Sequence, residues 1–296
     1  MRFLADRRVV AAVLALAVIL AVGAVVLVVR NKVAPPAPTD NVPADTSAAG
    51  PKVSVIGTSL QGRKIEAYTY GSGQAHIAFV GGVHGGYEWN SVLLAYNFID
   101  YLTANPATVP ANMTVSIIPS ANPDGVYRVI GKDGRFALAD VPQGVDQSAG
   151  RFNARGVDLN RNFDCRWQAE STWRGTKVSA GSKPFSEPEA AAIRDFALAK
   201  KPIAVIFWHS QANAVYASEC GKGILPQTLD IMNAYAKAAG YQAVKSFDAY
   251  PVTGDSEGWL ASIGIPAITV ELSTHESIEW DKNLAGVKAV LGYYGK

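Results

Sequence analysis

Gly81-Gly82-Val83-His84-Gly85-Gly86-Tyr87-Glu88-Trp89-Asn90 joins a short apolar run at 77–80 to a longer segment of helical spacing at 89–103. Strand, glycine-rich turn and helix follow one another here, and further strands and helical segments extend outward from them. Apolar runs at 53–56, 65–70, 113–118, 203–208, 214–216 and 267–271 read as further strands. Segments with helical spacing alternate with them at 188–200, 225–239, 257–263 and 281–294. Ser186 ahead of Glu187-Pro188-Glu189 predicts a helix start, with a capping hydroxyl, early acids and a proline in the first turn. The alternation predicts an α/β fold: a single mixed β-sheet flanked by helices, with binding residues on loops beyond the carboxyl ends of strands.

The composition narrows the function. With 49% apolar and 18% charged residues, disorder along most of the 296-residue chain is excluded. Residues 1–50 hold five of the 27 Lys and Arg and three of the 25 Asp and Glu, which leaves 22 of each sign in the body. A neutral body lacks the broad basic footprint of a nucleic-acid partner. Two cysteines exclude a disulfide scaffold and supply no Cys-x-x-Cys motif. Residues 9–29 are 21 consecutive uncharged positions, a helix of about 30 Å, which matches the hydrocarbon core of a lipid bilayer. Secretory signals have shorter apolar cores of about 7–15 residues, so the run predicts an uncleaved transmembrane anchor; cleavage would give a secreted form. Arg2, Arg7 and Arg8 precede it and Arg30 and Lys32 follow, a slight bias toward a cytoplasmic segment at 1–8. Residues 30–51, rich in Pro and Ala, predict a tether. Residues 52–296 are then a domain outside the cytoplasm.

Four histidines are present: His76, His84, His209 and His275. His84 follows the run at 77–80, His209 ends the run at 203–208, and Glu271 closes the very apolar run at 267–271. A carboxylate there is costly unless paired or used. Hydrolytic zinc sites take two His and one carboxylate, which His84, Glu88 and His209 can supply. A lone strand-end His is more often structural, so the weight lies in the three together. His-Glu-x-x-His is absent, as is Gly-x-Ser-x-Gly, which excludes a helix-borne zincin site and argues against a serine hydrolase. His275, four residues beyond Glu271, reads as a supporting or surface group, and His76 as structural. The six Trp are scattered and read as core or cleft lining.

A second cluster, Gly156-Val157-Asp158-Leu159-Asn160-Arg161-Asn162-Phe163, follows Asn122-Pro123-Asp124-Gly125 and Arg151-Phe152-Asn153-Ala154-Arg155. Arginine pairs bidentately with carboxylates, so Asn160 and Arg161 beside a zinc would suit a substrate with a free carboxylate. Alone, the segment reads rather as a surface loop with solvated charges.

Taken in order, these segments resemble the zinc metallocarboxypeptidases, the carboxypeptidase A-like peptidases. The resemblance runs from Ile56-Gly57-Thr58-Ser59 with Gly62-Arg63 through Gly82-Val83-His84-Gly85 with Glu88 and the two Asn-rich motifs. Phe185-Ser186-Glu187-Pro188-Glu189, His209-Ser210 and Thr269-Val270-Glu271-Leu272 complete it. It implies one Zn2+ per chain on His84, Glu88 and His209, with Glu271 as general base. It implies Arg151 beside the scissile carbonyl, Asn160 and Arg161 on the terminal carboxylate, and Tyr250 closing over the substrate. Arg135 and Arg155 compete for the role of Arg151. The family has two residues between its first His and Glu; this chain has three, read as a one-residue loop insertion. Glu257, then Asp255, fall where the family shapes the pocket for the terminal side chain, so an acid there would favour a basic terminus. Both acids could equally start a helix carrying Trp259. Cys165 and Cys220 are candidates for one disulfide, or remain two buried thiols.

The expected activity is hydrolysis of the last amide bond of peptides with a free C-terminal carboxylate. The alternatives are an amidase acting on peptidoglycan stem peptides and a non-catalytic peptide-binding module of the same fold. Glu271 argues against the last, since binding needs no base.

Overall fold

Ile77 and Phe79 are buried in one apolar cluster and Ala78 and Val80 in another, because successive side chains of a strand leave opposite faces of its sheet. The strand is β3 (Ala75–Val80), at the middle of the chain's computed structural model, which describes residues 50–295. The expected anchor at 9–29 and the cytoplasmic segment at 1–8 lie outside the described residues, as does the tether up to residue 49. Among the described residues no helix is long and apolar enough to cross a membrane.

Around β3 the chain lays down β1 (Lys52–Thr58), β2 (Lys64–Gly71), α1 (Trp89–Ala104), β4 (Met113–Ile118) and α2 (Pro123–Ile130). It continues with β5 (Glu170–Trp173), β6 (Thr176–Ser179), α3 (Pro188–Lys200), β7 (Ala204–Ser210) and β8 (Ala214–Ala217). The last elements are α4 (Pro226–Ala239), β9 (Gln242–Val244), α5 (Ser256–Ser262), β10 (Ala267–Leu272) and α6 (Trp280–Tyr294). Eight strands form one mixed sheet in the order β1-β2-β4-β3-β7-β10-β8-β9. β4, β3, β7 and β10 are parallel neighbours at its centre, while β2 and β8 flank them antiparallel. β5 and β6 form a separate hairpin.

One face packs on α1, α4 and α6, the other on α3 and α5. On the first, Trp208 stacks on Phe79 with centroids 5.3 Å apart. Its indole N–H donates to the Tyr235 hydroxyl at 3.0 Å, which donates to Asn283 Oδ1 at 2.7 Å, so the buried polar atoms are paired.

Each strand and helix expected after residue 50 is present, those at 113–118 and 188–200 with the expected bounds and the others with ends shifted by one or two residues. The helix start at 186 needs correction: Glu187 holds the cap position with no side-chain capping bond, and Pro188 opens the helix. Ser186 Oγ instead donates to the Glu187 carboxylate at 2.8 Å. Asn122-Pro123-Asp124-Gly125 begins a helix, α2, with the Asn122 side chain accepting from Gly125 N–H and Gly131 closing it in the left-handed region. The hairpin and β9 escape the sequence reading because their residues are too polar and too few to show a period.

Candidate metal centre and substrate cleft

Parity places the central pair. In β7, Val205, Phe207 and His209 share one face; in β10, Ala267, Thr269 and Glu271 do. The parallel register sets Glu271 directly opposite His209 at the carboxyl ends of both strands. His84 and Glu88 arrive from the loop after β3. Gly85, at φ +47°, approaches the backbone of Gly125 and Gly150 so closely that a Cβ would collide with both. Gly85–Glu88 then forms a 3-10 turn leading into α1. The three intervening residues lie in this 3-10 turn, which brings the His84 and Glu88 side chains together.

His84 Nδ1 lies 2.7 Å from Glu88 Oε1, His209 Nδ1 lies 2.9 Å from Glu88 Oε2, and the two Nδ1 atoms are 3.1 Å apart. All three residues are buried. A tetrahedral zinc with bonds of about 2.0–2.1 Å has ligand atoms about 3.3 Å apart, so these side chains fit such an ion with little rearrangement. On their far sides, His84 Nε2 faces Asp158 Oδ1 at 3.5 Å and His209 Nε2 faces Glu257 Oε1 at 3.3 Å. Neither Nε2 has a well-aligned hydrogen bond. Burial disfavours a charged His209, yet Glu88 and Glu257 outweigh it and hold the imidazole well above its usual pKa. Burial likewise opposes ionised Glu88 and Asp158; His84 and His209 keep Glu88 low, and Arg151, Arg161 and His84 keep Asp158 low. A surplus of buried carboxylates around two imidazoles is a field suited to a dication.

Arg151, almost fully buried, donates through Nε to Asp158 Oδ2 at 2.9 Å, with Nη2 at 2.8 Å from the same oxygen and Nη1 3.8 Å from Glu88 Oε1. Its guanidinium stacks 4.7 Å from the Trp173 ring centroid on the β5–β6 hairpin. The competing arginines are elsewhere: Arg135 pairs with Asp100 over Tyr96, and Arg155 with Glu187. Asp158, within a motif already singled out but given no role there, thus braces both His84 and Arg151.

Asn160 Oδ1 accepts from the Ser256 N–H at 2.9 Å and lies 2.9 Å from the Ser256 hydroxyl oxygen. Arg161 donates to the Asn160 carbonyl at 2.7 Å, and its buried Nε has no partner. Gly254, at φ +71°, lets its chain lie against the Arg161 carbonyl where any side chain would clash.

Glu271 Oε2 is buried without a partner, and burial together with the charge of Glu88 pushes the carboxyl up to about 8. Tyr250 sits at the rim, its ring 4.8 Å from Phe247. Asp255 is the N-cap of α5, accepting from Gly258 N–H at 2.7 Å. Glu257 accepts from Thr269 at 3.0 Å and Ser256 at 2.8 Å besides facing His209. Both acids line the cleft; both Glu257 oxygens are engaged, while half-buried Asp255 has only Oδ2 engaged by Gly258. Arg151, Asn160, Arg161, Tyr250 and Glu271 line one cleft of about 590 Å³ together with the three candidate ligands. His275 Nδ1 lies 2.7 Å from Ser210 Oγ, which donates to Asn90, so it supports the end of β7; His76 lies 2.9 Å from Ser116 Oγ. Cys165 and Cys220 are joined in a disulfide.

An α/β sheet carrying two histidines, a glutamate and a facing carboxylate at its carboxyl edge has the build of a metal-dependent hydrolase. Residues 49–285 match the zinc carboxypeptidase family, and the chain belongs to it. It is 27% identical over 242 residues to gamma-D-glutamyl-L-diamino acid endopeptidase 1 of Lysinibacillus sphaericus, covering 74% of this chain and 60% of that one. In fold it is similar to the murein-tripeptide amidase of Escherichia coli O157, with a TM-score of 0.60, 23% identity and coverage of 83% of this chain and 94% of that one. Carboxypeptidase A of Helicoverpa armigera has a TM-score of 0.62 at 19% identity, over 83% of this chain and 70% of that one.

Proposed function

We propose that the chain is a zinc peptidase that hydrolyses the amide bond preceding a C-terminal residue with a free carboxylate. The observation that carries this is the β7–β10 register, which sets the unpartnered Glu271 carboxylate beside His209 in the cleft that Arg151, Asn160 and Arg161 also line. His84, Glu88 and His209 would hold one zinc ion, whose Lewis acidity polarises a carbonyl and acidifies water. Glu271 takes up the proton released on attack and passes it to the leaving amine. Arg151, fixed by Asp158, stabilises negative charge growing on the carbonyl oxygen. Asn160 and Arg161 hold the terminal carboxylate, and Tyr250 covers the bound end. In this reading residues 9–29 anchor the chain in the cell membrane with the domain outside the cytoplasm.

A second reading narrows the bond to that between a γ-D-glutamyl residue and a diamino acid in cell-wall stem peptides. The names of the Lysinibacillus and Escherichia relatives support it. The test is zinc content together with kcat/KM for an ordinary peptide ending in Leu or Lys and for a γ-D-glutamyl-diaminopimelate peptide. Cleavage of ordinary peptides supports the first reading, and cleavage of the γ-glutamyl peptide alone supports the second. Less than about 0.2 zinc per chain with no cleavage would leave a peptide-binding module.

A further inference from the structure

Glu257 lines the cleft where a pocket acid was expected, and its carboxylate packs against the outer side of the candidate ligand His209. It is almost fully buried, and both oxygens are engaged. Oε1 faces His209 Nε2 at 3.3 Å and accepts from Thr269 Oγ1 at 3.0 Å; Oε2 accepts from Ser256 Oγ at 2.8 Å. Ser256 in turn contacts Asn160 Oδ1 with both its N–H and its hydroxyl. One buried carboxylate therefore touches the imidazole of a candidate ligand and, one residue away, the side chain assigned to the substrate carboxylate.

We propose that Glu257 is a positioning residue. It orients His209 through its outer nitrogen, so that Nδ1 is the ligand atom, and through Ser256 it sets Asn160 at a fixed distance from the metal. Thr269 makes the arrangement specific, since it shares the sheet face of Glu271 and pins the carboxylate from β10. Asp158 stands behind His84 in the same way at 3.5 Å, so each histidine has its own buried carboxylate. Such outer partners fix ring orientation and raise ligand basicity, and removing one typically costs about 10–100-fold in metal affinity. The assignment rests on the proposed zinc site.

The test measures zinc affinity by chelator competition and the melting temperature of the zinc-free protein, in the full chain and in Glu257→Gln. The Gln variant keeps the shape and an acceptor for Ser256 or Thr269 but removes the charge facing His209. The expected result is zinc affinity lowered about 10–100-fold with the zinc-free melting temperature within a few degrees of wild type. Unchanged affinity with a lower zinc-free melting temperature would make Glu257 a packing residue. Unchanged affinity with an altered preference between Lys- and Leu-terminated peptides would make it a pocket acid. Either outcome overturns the proposal, whereas a wild type that takes up no zinc overturns the metal site itself. Ser256→Ala supplies an independent arm that leaves Glu257 and His209 in place. It should raise KM several-fold with zinc affinity unchanged and kcat little changed; an unaltered KM would break the link from Glu257 to Asn160.

Discussion

Glu271 and His209 are neighbours because each is the last odd-numbered position of its strand before the chain leaves the sheet. That proximity makes the glutamate the group to change first. Glu271→Gln keeps its volume and removes its basicity, so kcat should fall about 10²–10⁴-fold with zinc stoichiometry and fold intact. Retention of more than half the wild-type kcat would exclude Glu271 as the base. His209→Ala removes a ligand atom instead and should lose zinc under a chelator that leaves wild type loaded; unchanged stoichiometry and affinity would mean the ligand set is wrong. These side chains were legible in the sequence because histidine and glutamate are rare at the ends of apolar strands. Their partners were not. Asp158 looks like any loop acid, and only the folded chain shows it placed against both His84 and Arg151.

At the scale of elements, α5 shows where sequence position and chemical role part. Both acids at its start were readable as pocket residues or as helix-start residues. Asp255 is the N-cap, while Glu257 is drawn inward by Thr269 and His209, contacts that no linear pattern displays. The cap carries a pH signature. Burial, then the charge of Glu257, raises the Asp255 carboxyl to about 6 from 3.8. A raised folded pKa means the fold tolerates the neutral acid better, so the cost is absent below pH ~3.8, grows through pH ~6 and is constant above. Asp255→Asn keeps an acceptor for Gly258 N–H without the charge. In urea unfolding of the zinc-free protein it should gain about 1–3 kcal/mol over wild type at pH 8, the lower end allowing for partial solvent access, and less than about 0.2 kcal/mol at pH 3. Equal effects at both pH values would show that the charge is not the reason. The β5–β6 hairpin belongs to this scale too, since its Trp173 covers Arg151 although its sequence shows no strand period.

For the whole domain, the alternating sheet was legible because its central strands are nearly all apolar and buried on both faces. The cleft was less so, since its walls are loops brought together from distant parts of the chain. One covalent tie joins two of them. Cys165 lies just past Asn160 and Arg161, Cys220 lies just past β8, and their neighbours Arg166 and Glu219 pair at 2.8 Å on the cleft wall. The Cys165 carbonyl also accepts from Gly254 N–H at 2.7 Å, so the bridge braces the loop that leads into α5. The half-exposed ion pair contributes at most about 1 kcal/mol. The bridge spans 55 residues, and in the chain-entropy treatment such a loop stabilises by about 4 kcal/mol, commonly less in practice. His84 and Glu88 lie on the loop after β3, outside the segment that the bridge closes, and His209, although inside it, is held in the central strand β7 by its pairing with β10. Reduction, or the pair Cys165→Ser and Cys220→Ser, should therefore lower the free energy of unfolding by about 2–4 kcal/mol and raise KM several-fold while zinc affinity stays within about twofold of wild type. Denaturant unfolding with and without reductant, beside chelator competition on the same samples, reads both quantities. A bridge whose loss leaves the unfolding midpoint unmoved would not stabilise the wall, and one whose loss releases zinc would be coupled to the metal ligands.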